Sequence, residues 1–335
     1  MSARATIAIF GAGAWGTALA ILLARNGHAV RLWGRSPDTM ARMQAERRNT
    51  RSLPDAAFPD TLTATSNLDQ ALQDADLALV VVPSSGFRAF LRNLAPHLKA
   101  GTRLAWASKG LEVDTAKRLD EIVDEELPRH APPAVISGPT FAREVAAGLP
   151  TAVTVASADH AFAEQLMEWL HGPTFRAYRV DDVIGVELGG ALKNVLAIAA
   201  GIADGLHFGA NTRAAVITRG LAEIMRLGDA LGARRETFMG LAGLGDLVLT
   251  CTDNQSRNRR FGLLLAEGKS KDEALATINQ AVEGLPSARE AWRLAERHGV
   301  DMPITQAVHQ VLYENLPAKA AVAGLLNRHL RPELD

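Results

Sequence analysis

The chain has 335 residues, 47% of them hydrophobic, and a formal net charge of -1. That length predicts about two domains with ample apolar material for packed cores, and the near-zero charge excludes a global field that would gather nucleic acid or an acidic membrane surface. A single cysteine, Cys251, excludes a disulfide framework within one chain and suits a reducing compartment. The N-terminus enters a strand-like run without a signal-peptide layout, and the most apolar helix is interrupted by a lysine, an acid and glycines. A soluble cytoplasmic protein without membrane insertion is therefore expected.

Residues 6–10 (TIAIF) form a short β-branched run, followed by Gly11-Ala12-Gly13-Ala14-Trp15-Gly16 and a helical segment over 17–26. Strand, G-x-G-x-x-G and helix at the start of a βαβ unit is the dinucleotide-binding pattern. Gly11 makes the tight turn, Gly13 lets backbone approach a pyrophosphate, and Gly16 lets helix and strand pack closely. The second strand, 29–33, ends in Gly34-Arg35-Ser36, with no acid to take the ribose hydroxyls of NAD. Arg35 is placed to meet a 2′-phosphate, which points towards NADP.

A charged helix over 38–48 and a loop over 49–59 precede a third strand expected at 62–65. The apolar run 77–82 reads as a central parallel strand covered on both faces, and Pro83-Ser84-Ser85 leaves it at the carboxyl edge, where ligands of such sheets bind. The strand 103–107 exits at the same edge through Ser108-Lys109-Gly110, so that Lys109 can meet cofactor or substrate. The strand 134–137 leads into Gly138-Pro139-Thr140-Phe141-Ala142, where Gly138 and Thr140 offer donors near a helix start. Strands over 152–156 and 175–178 flank a helix over 159–170. Alternating strands and helices predict a doubly wound α/β domain of Rossmann type over 1–181.

Residues 182–335 read as all-helical. The segment 183–202 (VIGVELGGALKNVLAIAAGI) is apolar enough to be buried on most sides, yet holds Lys193 followed by Asn194. Either the lysine snorkels to water, or it is buried and in use. Leu241 to Thr252 (LAGLGDLVLTCT) is punctuated by glycine and carries Asp246 among apolar neighbours. At Ser256 to Arg260, a good N-cap opens a helix whose first turn is basic. Cations there oppose the helix dipole, an arrangement that an anion would complete. Further helices are expected over 212–231, 286–298, 303–314 and 317–326. No histidine-carboxylate cluster has zinc spacing. A hydride-transfer enzyme acting on a small phosphorylated alcohol fits these parts. A desolvated lysine beside another cation has its pKa lowered towards the range of a general acid and base.

Across nearly the whole chain the motifs resemble bacterial NAD(P)-dependent glycerol-3-phosphate dehydrogenase. The matching pieces are GAGAWGTALA, SKGLE, SGPTFAREV, ELGGALKNVLAIAAGIADGL, LAGLGDLVLTCT, SRNRRFG and VEG, in the family's order. Where that pattern often has serine, this chain has Thr140, which keeps the hydroxyl. The resemblance implies reversible reduction of dihydroxyacetone phosphate to sn-glycerol 3-phosphate, a phospholipid precursor. It also implies a C-terminal domain of the 6-phosphogluconate dehydrogenase type, no metal, and a cytoplasmic homodimer. It makes Lys193 the proton donor and acceptor and Asp246 its charge partner, with Lys109, Asn194 and Thr250 in the polar shell. Ser256, Arg257 and Asn258 become the phosphate clamp, and Gly138 and Thr140 complete the substrate contacts. Cofactor contacts fall on Ala14, Trp15, Arg35, Lys109, Ala142, Arg257, Val282 and Glu283. Rival readings are a 6-phosphogluconate or 3-hydroxyacid dehydrogenase, or a nucleotide-sensing protein without catalysis.

Overall fold

A computed structural model describes residues 4–329 and 332. Its N-terminal unit is built on an eight-stranded sheet. In chain order the strands are β1 (Thr6–Phe10), β2 (Ala29–Trp33), β3 (Arg48–Asn49), β4 (Leu53–Ala57), β5 (Leu62–Thr65), β6 (Leu77–Val80), β7 (Arg103–Trp106), β8 (Ala134–Ser137), β9 (Thr151–Ser157) and β10 (Phe175–Val180). The large sheet runs β10-β9-β8-β7-β6-β1-β2-β5, and β3 and β4 pair separately as an antiparallel hairpin. That hairpin occupies the segment read from the sequence as a loop; two and five residues rich in Arg, Asn and Pro carry too little alternation to announce strands.

β1 lies between β2 and β6, parallel to both. The chain first builds outward from β1 to β2 and β5, then returns to β6 on the other side. The carboxyl end of β1 is therefore the switch point of the sheet, the place where sheets of this kind bind ligands. β6 and β8 are buried throughout, which explains their unbroken apolar runs. The sheet is mixed, since β9 runs antiparallel to β8 while β10 follows β9 in parallel.

The C-terminal unit is helical and is organised on Val183–Gly205. That helix is long and apolar enough to cross a membrane, but 83% of the apolar window is buried in protein. Its small residues allow very close neighbours: a Cβ on Gly201 would stand 2.1 Å from the Arg259 carbonyl oxygen. Helices that sequence patterning passes over also appear, among them Leu119–Glu126 and Lys271–Ile278, the second with a Ser270–Glu273 capping box.

Compactness divides the chain into 1–109 with 119–183, and 110–118 with 184–335. The excursion 110–118, which a boundary at 181/182 leaves in the first domain, packs with the second. Leu111 and Ala116 join the apolar cluster of Leu188, Leu192 and Leu196. Asp114 pairs with Arg289 at 3.2 Å, and Arg297 donates to the Thr115 carbonyl.

One buried carboxylate in this unit titrates unusually. Glu223 accepts from the backbone amides of Ile304 and Thr305, at 2.6 and 3.0 Å, and so closes the N-terminus of Pro303–Tyr313. Burial nevertheless pushes it up from 4.5 to about 7. A folded-state value above the unfolded one means that the folded protein binds the extra proton. The stabilising contribution of Glu223 is therefore complete below pH 4.5 and is lost as pH rises through about 7. Urea unfolding measured across that interval should show stability falling with pH more steeply in the wild type than in Glu223→Gln; parallel slopes would refute the assignment.

Candidate active site

The predicted site residues fall into two groups, one in each compact unit. In the N-terminal unit, Gly11 sits directly after β1 with φ +124°, and a Cβ there would meet the Val81 carbonyl oxygen at 2.4 Å. A Cβ on Gly16 would stand 1.9 Å from the Gly11 carbonyl oxygen, so this glycine lets the turn and the helix Ala14–Arg25 close on each other. Gly13 differs, because a Cβ there would meet nothing within 4 Å. It is the N-cap of that helix and provides no side-chain cap. The first-turn amides are thus free to face an anion in open space. Trp15 adds a buried indole N–H that has no hydrogen-bond partner among the described residues. These features fit the pyrophosphate of a dinucleotide.

Arg35 is exposed just past β2, and Ser36 caps the next helix by accepting from the Thr39 amide. No carboxylate follows β2 until Asp38 in that helix. At the next sheet edge, Lys109 Nζ donates to the Gly138 carbonyl at 3.0 Å. Thr140 Oγ1 donates to the same oxygen at 3.1 Å. Gly138 has φ +142°, and a short helix, Ala142–Ala147, begins at Ala142. Lys109, Gly138 and Thr140 thus form one cluster around a single carbonyl.

In the C-terminal unit, Lys193 and Asp246 are 7% and 0% exposed, and their ammonium and carboxylate form an ion pair. The lysine does not snorkel; its head group ends on the acid. Asp246 is the first residue of Asp246–Thr252, entered through a π-helical turn at Leu241–Gly245. The glycines read from the sequence as a turn wind this entry. Thr250, one turn on, donates to the Asp246 carbonyl oxygen at 2.6 Å and approaches Oδ1 at 3.4 Å. Next to it, burial pushes the Cys251 thiol up to about 12 despite nearby Lys193 and Arg259, which leaves it protonated and inert.

Asn194 accepts from Asn258 Nδ2 at 2.9 Å, and Asn258 Oδ1 accepts from the Gly284 amide at 2.9 Å. Asn194 also makes a long contact, 3.5 Å, to Glu283, which precedes Gly284–His298. Val282 is buried beside them. The Asn258 side chain is therefore mostly committed inside the unit. Ser256 is the N-cap of Arg257–Ala266 and accepts from the Arg259 amide at 3.2 Å, which leaves its O–H free to donate. Arg257, half-buried at the first position of that helix, has no hydrogen bond or ion pair among the described residues.

Asp204 escaped sequence analysis. It pairs with Arg259 and, at 2.9 Å, with Arg213, and so neutralises the second cation of the basic turn. A signal was present, because Asp204 lies eleven residues, roughly three helical turns, beyond Lys193 on the same helix. Among the described residues, no group of three or more His, Cys, Asp or Glu side chains is placed to hold a metal.

A Rossmann-type nucleotide domain followed by a helical unit with a buried lysine–aspartate pair defines a dehydrogenase of the NAD(P)-dependent class. Family models described as the N-terminus and C-terminus of NAD-dependent glycerol-3-phosphate dehydrogenase match residues 6–163 and 182–323. The chain is 61% identical to glycerol-3-phosphate dehydrogenase [NAD(P)+] from Thioalkalivibrio sulfidiphilus over 98% of each protein. It is 55% identical to that from Pseudoalteromonas translucida over 99% of each. The crystal structure of glycerol-3-phosphate dehydrogenase from Coxiella burnetii superposes with a TM-score of 0.94 at 53% identity, covering 97% of this chain and 99% of that one. This chain belongs to the NAD(P)-dependent glycerol-3-phosphate dehydrogenase family.

If Arg257 is the free cation that holds an anionic substrate, Arg257→Ala should raise KM strongly, since a charge-assisted contact contributes about 1.5–3 kcal/mol. Remote binding energy also positions the reacting carbon, so kcat should fall as well. Because the resemblance also assigns Arg257 to the cofactor, unphosphorylated dihydroxyacetone is the control. A mutant that still prefers the phosphorylated substrate as strongly as wild type places the clamp elsewhere.

Proposed function

We propose that this enzyme reduces dihydroxyacetone phosphate reversibly to sn-glycerol 3-phosphate, with Lys193 as the general acid and base. The observation that carries the mechanism is the buried Lys193–Asp246 pair. Reduction of a ketone adds hydride to carbon and a proton to oxygen. When bound, a reduced nicotinamide would supply the hydride. The Lys193 ammonium donates the proton as the oxygen gains charge, and takes it back in the oxidation direction. Asp246 holds the ammonium in place, and Thr250 holds Asp246. Ser256 and Arg257 take the phosphate, supported by the N-terminus of Arg257–Ala266. The resemblance assigns Lys109, Gly138 and Thr140 to substrate as well, and Asn194 to the shell around Lys193. It also supports cofactor contacts at Ala142, Val282 and Glu283, and a cytoplasmic homodimer, which sedimentation at working concentration would test.

Oxidation of NADPH and NADH, followed in parallel with dihydroxyacetone phosphate, tests the activity; turnover with neither cofactor refutes it. For the mechanism, Lys193→Met nearly preserves side-chain volume and suits a helix. It should bind cofactor yet lose several orders in kcat, since proton transfer contributes about 10²–10⁴-fold and oxyanion stabilisation adds to that. A folded Lys193→Met enzyme with close to normal kcat would end the proposed role.

Cofactor choice rests on Arg35. Its exposed guanidinium after β2, without an acid to bind ribose hydroxyls, favours acceptance of a 2′-phosphate. Arg35→Asp should weaken NADPH binding selectively; equal loss for NADPH and NADH would show that Arg35 does not read that phosphate.

A further inference from the structure

Asn49 is an asparagine with 0% exposure, delivered into the N-terminal unit by the β3–β4 hairpin. Its amide nitrogen donates to the Ala12 carbonyl at 3.1 Å and to Thr17 Oγ1 at 2.9 Å. Its amide oxygen accepts from the Ser52 amide at 3.2 Å. Both N–H protons and the oxygen are engaged, so the amide has one orientation; turned over, its oxygen would face the Ala12 oxygen. Ala12 lies between Gly11 and Gly13, and Thr17 lies on the first turn of Ala14–Arg25, its own amide bonded to the Gly13 carbonyl at 3.0 Å. One side chain, remote in sequence, thus ties the glycine turn to the helix it feeds.

We propose that Asn49 is a positioning residue for the dinucleotide turn, holding the Ala12 carbonyl so that the Gly13 N–H faces the cofactor's pyrophosphate. The peptide between Ala12 and Gly13 is planar and trans, so its C=O and N–H point in opposite directions. Fixing the oxygen fixes the donor. Gly13, at one end of that peptide plane, gives it little intrinsic restraint, and the Asn49 hydrogen bond supplies one. The surrounding segment is built to hold Asn49 there. Arg47 takes a left-handed conformation, φ 52°, after Pro37–Glu46, and anchors its guanidinium on the Leu62 and Pro59 carbonyls at 2.7 and 2.6 Å. The strand pairing then shifts register between Arg48 and Asn49.

The inference rests on the reading of this turn as the cofactor site, and the experiment separates the two. Binding of NADPH and of adenosine 2′-monophosphate, which lacks the pyrophosphate, is measured by calorimetry on Asn49→Asp. That variant keeps the shape and the acceptor but loses both donors. NADPH affinity should fall about tenfold or more, the equivalent of one hydrogen bond to a charged group. Affinity for adenosine 2′-monophosphate should be unchanged. Asn49→Ala is read in the same way if the aspartate variant does not fold. Equal weakening of both ligands would mean that Asn49 only supports the fold, and unchanged NADPH binding would mean that the turn does not need it; either overturns the proposal. Gly13→Ile tests the underlying reading: if it leaves NADPH binding intact, the turn is not the pyrophosphate site at all.

Discussion

An ammonium withdrawn from water must be met by opposite charge, and in this chain that condition governs the helical unit. Desolvating a lysine and an aspartate costs several kcal/mol per ion, and the pair recovers this only with good geometry and further hydrogen bonds. The surroundings of Lys193 meet both conditions. A π-helical turn sets Asp246 at the head of its helix, and Thr250 reaches back to the same residue. If either charge were deleted alone, its partner would remain buried, at a cost of about 3–5 kcal/mol. The groups that give the site its chemistry therefore also carry a share of the helical unit's stability.

The same logic extends along the lysine helix. Gly201 brings the Arg259 backbone into contact with it, which places a basic helix start beside a buried apolar surface. Asp204 neutralises one arginine, and Arg213 is tied to the same carboxylate. Among the described residues, Arg257 is left with a charge that no hydrogen bond or ion pair uses. Neutralising one cation and sparing another separates a structural charge from one available to a ligand.

Much of this was legible in the sequence because short-range rules dictate it. The glycine turn after β1, the buried strand β6 and the Ser256 cap all follow from local sterics and hydrogen bonding, and the structure places them as read. The buried helix around Lys193 announced itself by composition, but the fate of the ammonium did not. Its partner lies 53 residues away, and only tertiary packing brings the two together. The β3–β4 hairpin was not legible for a related reason: two and five residues carry too little alternation to announce strands, and the contacts of Asn49 reach Ala12 and Thr17, far along the chain. Asp204 and the 110–118 excursion were likewise invisible to patterning, since both depend on contacts with segments far along the chain.

That excursion has an evolutionary consequence. The chain passes from one compact unit to the other at 109/110, 118/119 and 183/184. Nucleotide-binding modules joined by one linker can be exchanged by a single recombination event, but here one breakpoint near 183 would carry the 110–118 segment away with the wrong partner. Leu111 and Ala116 would be stranded without the apolar cluster that buries them, and that cluster would be left incomplete. The two units are thereby bound to a shared inheritance, and hybrids between distant relatives should tolerate substitutions within either unit far better than the swap of a whole one.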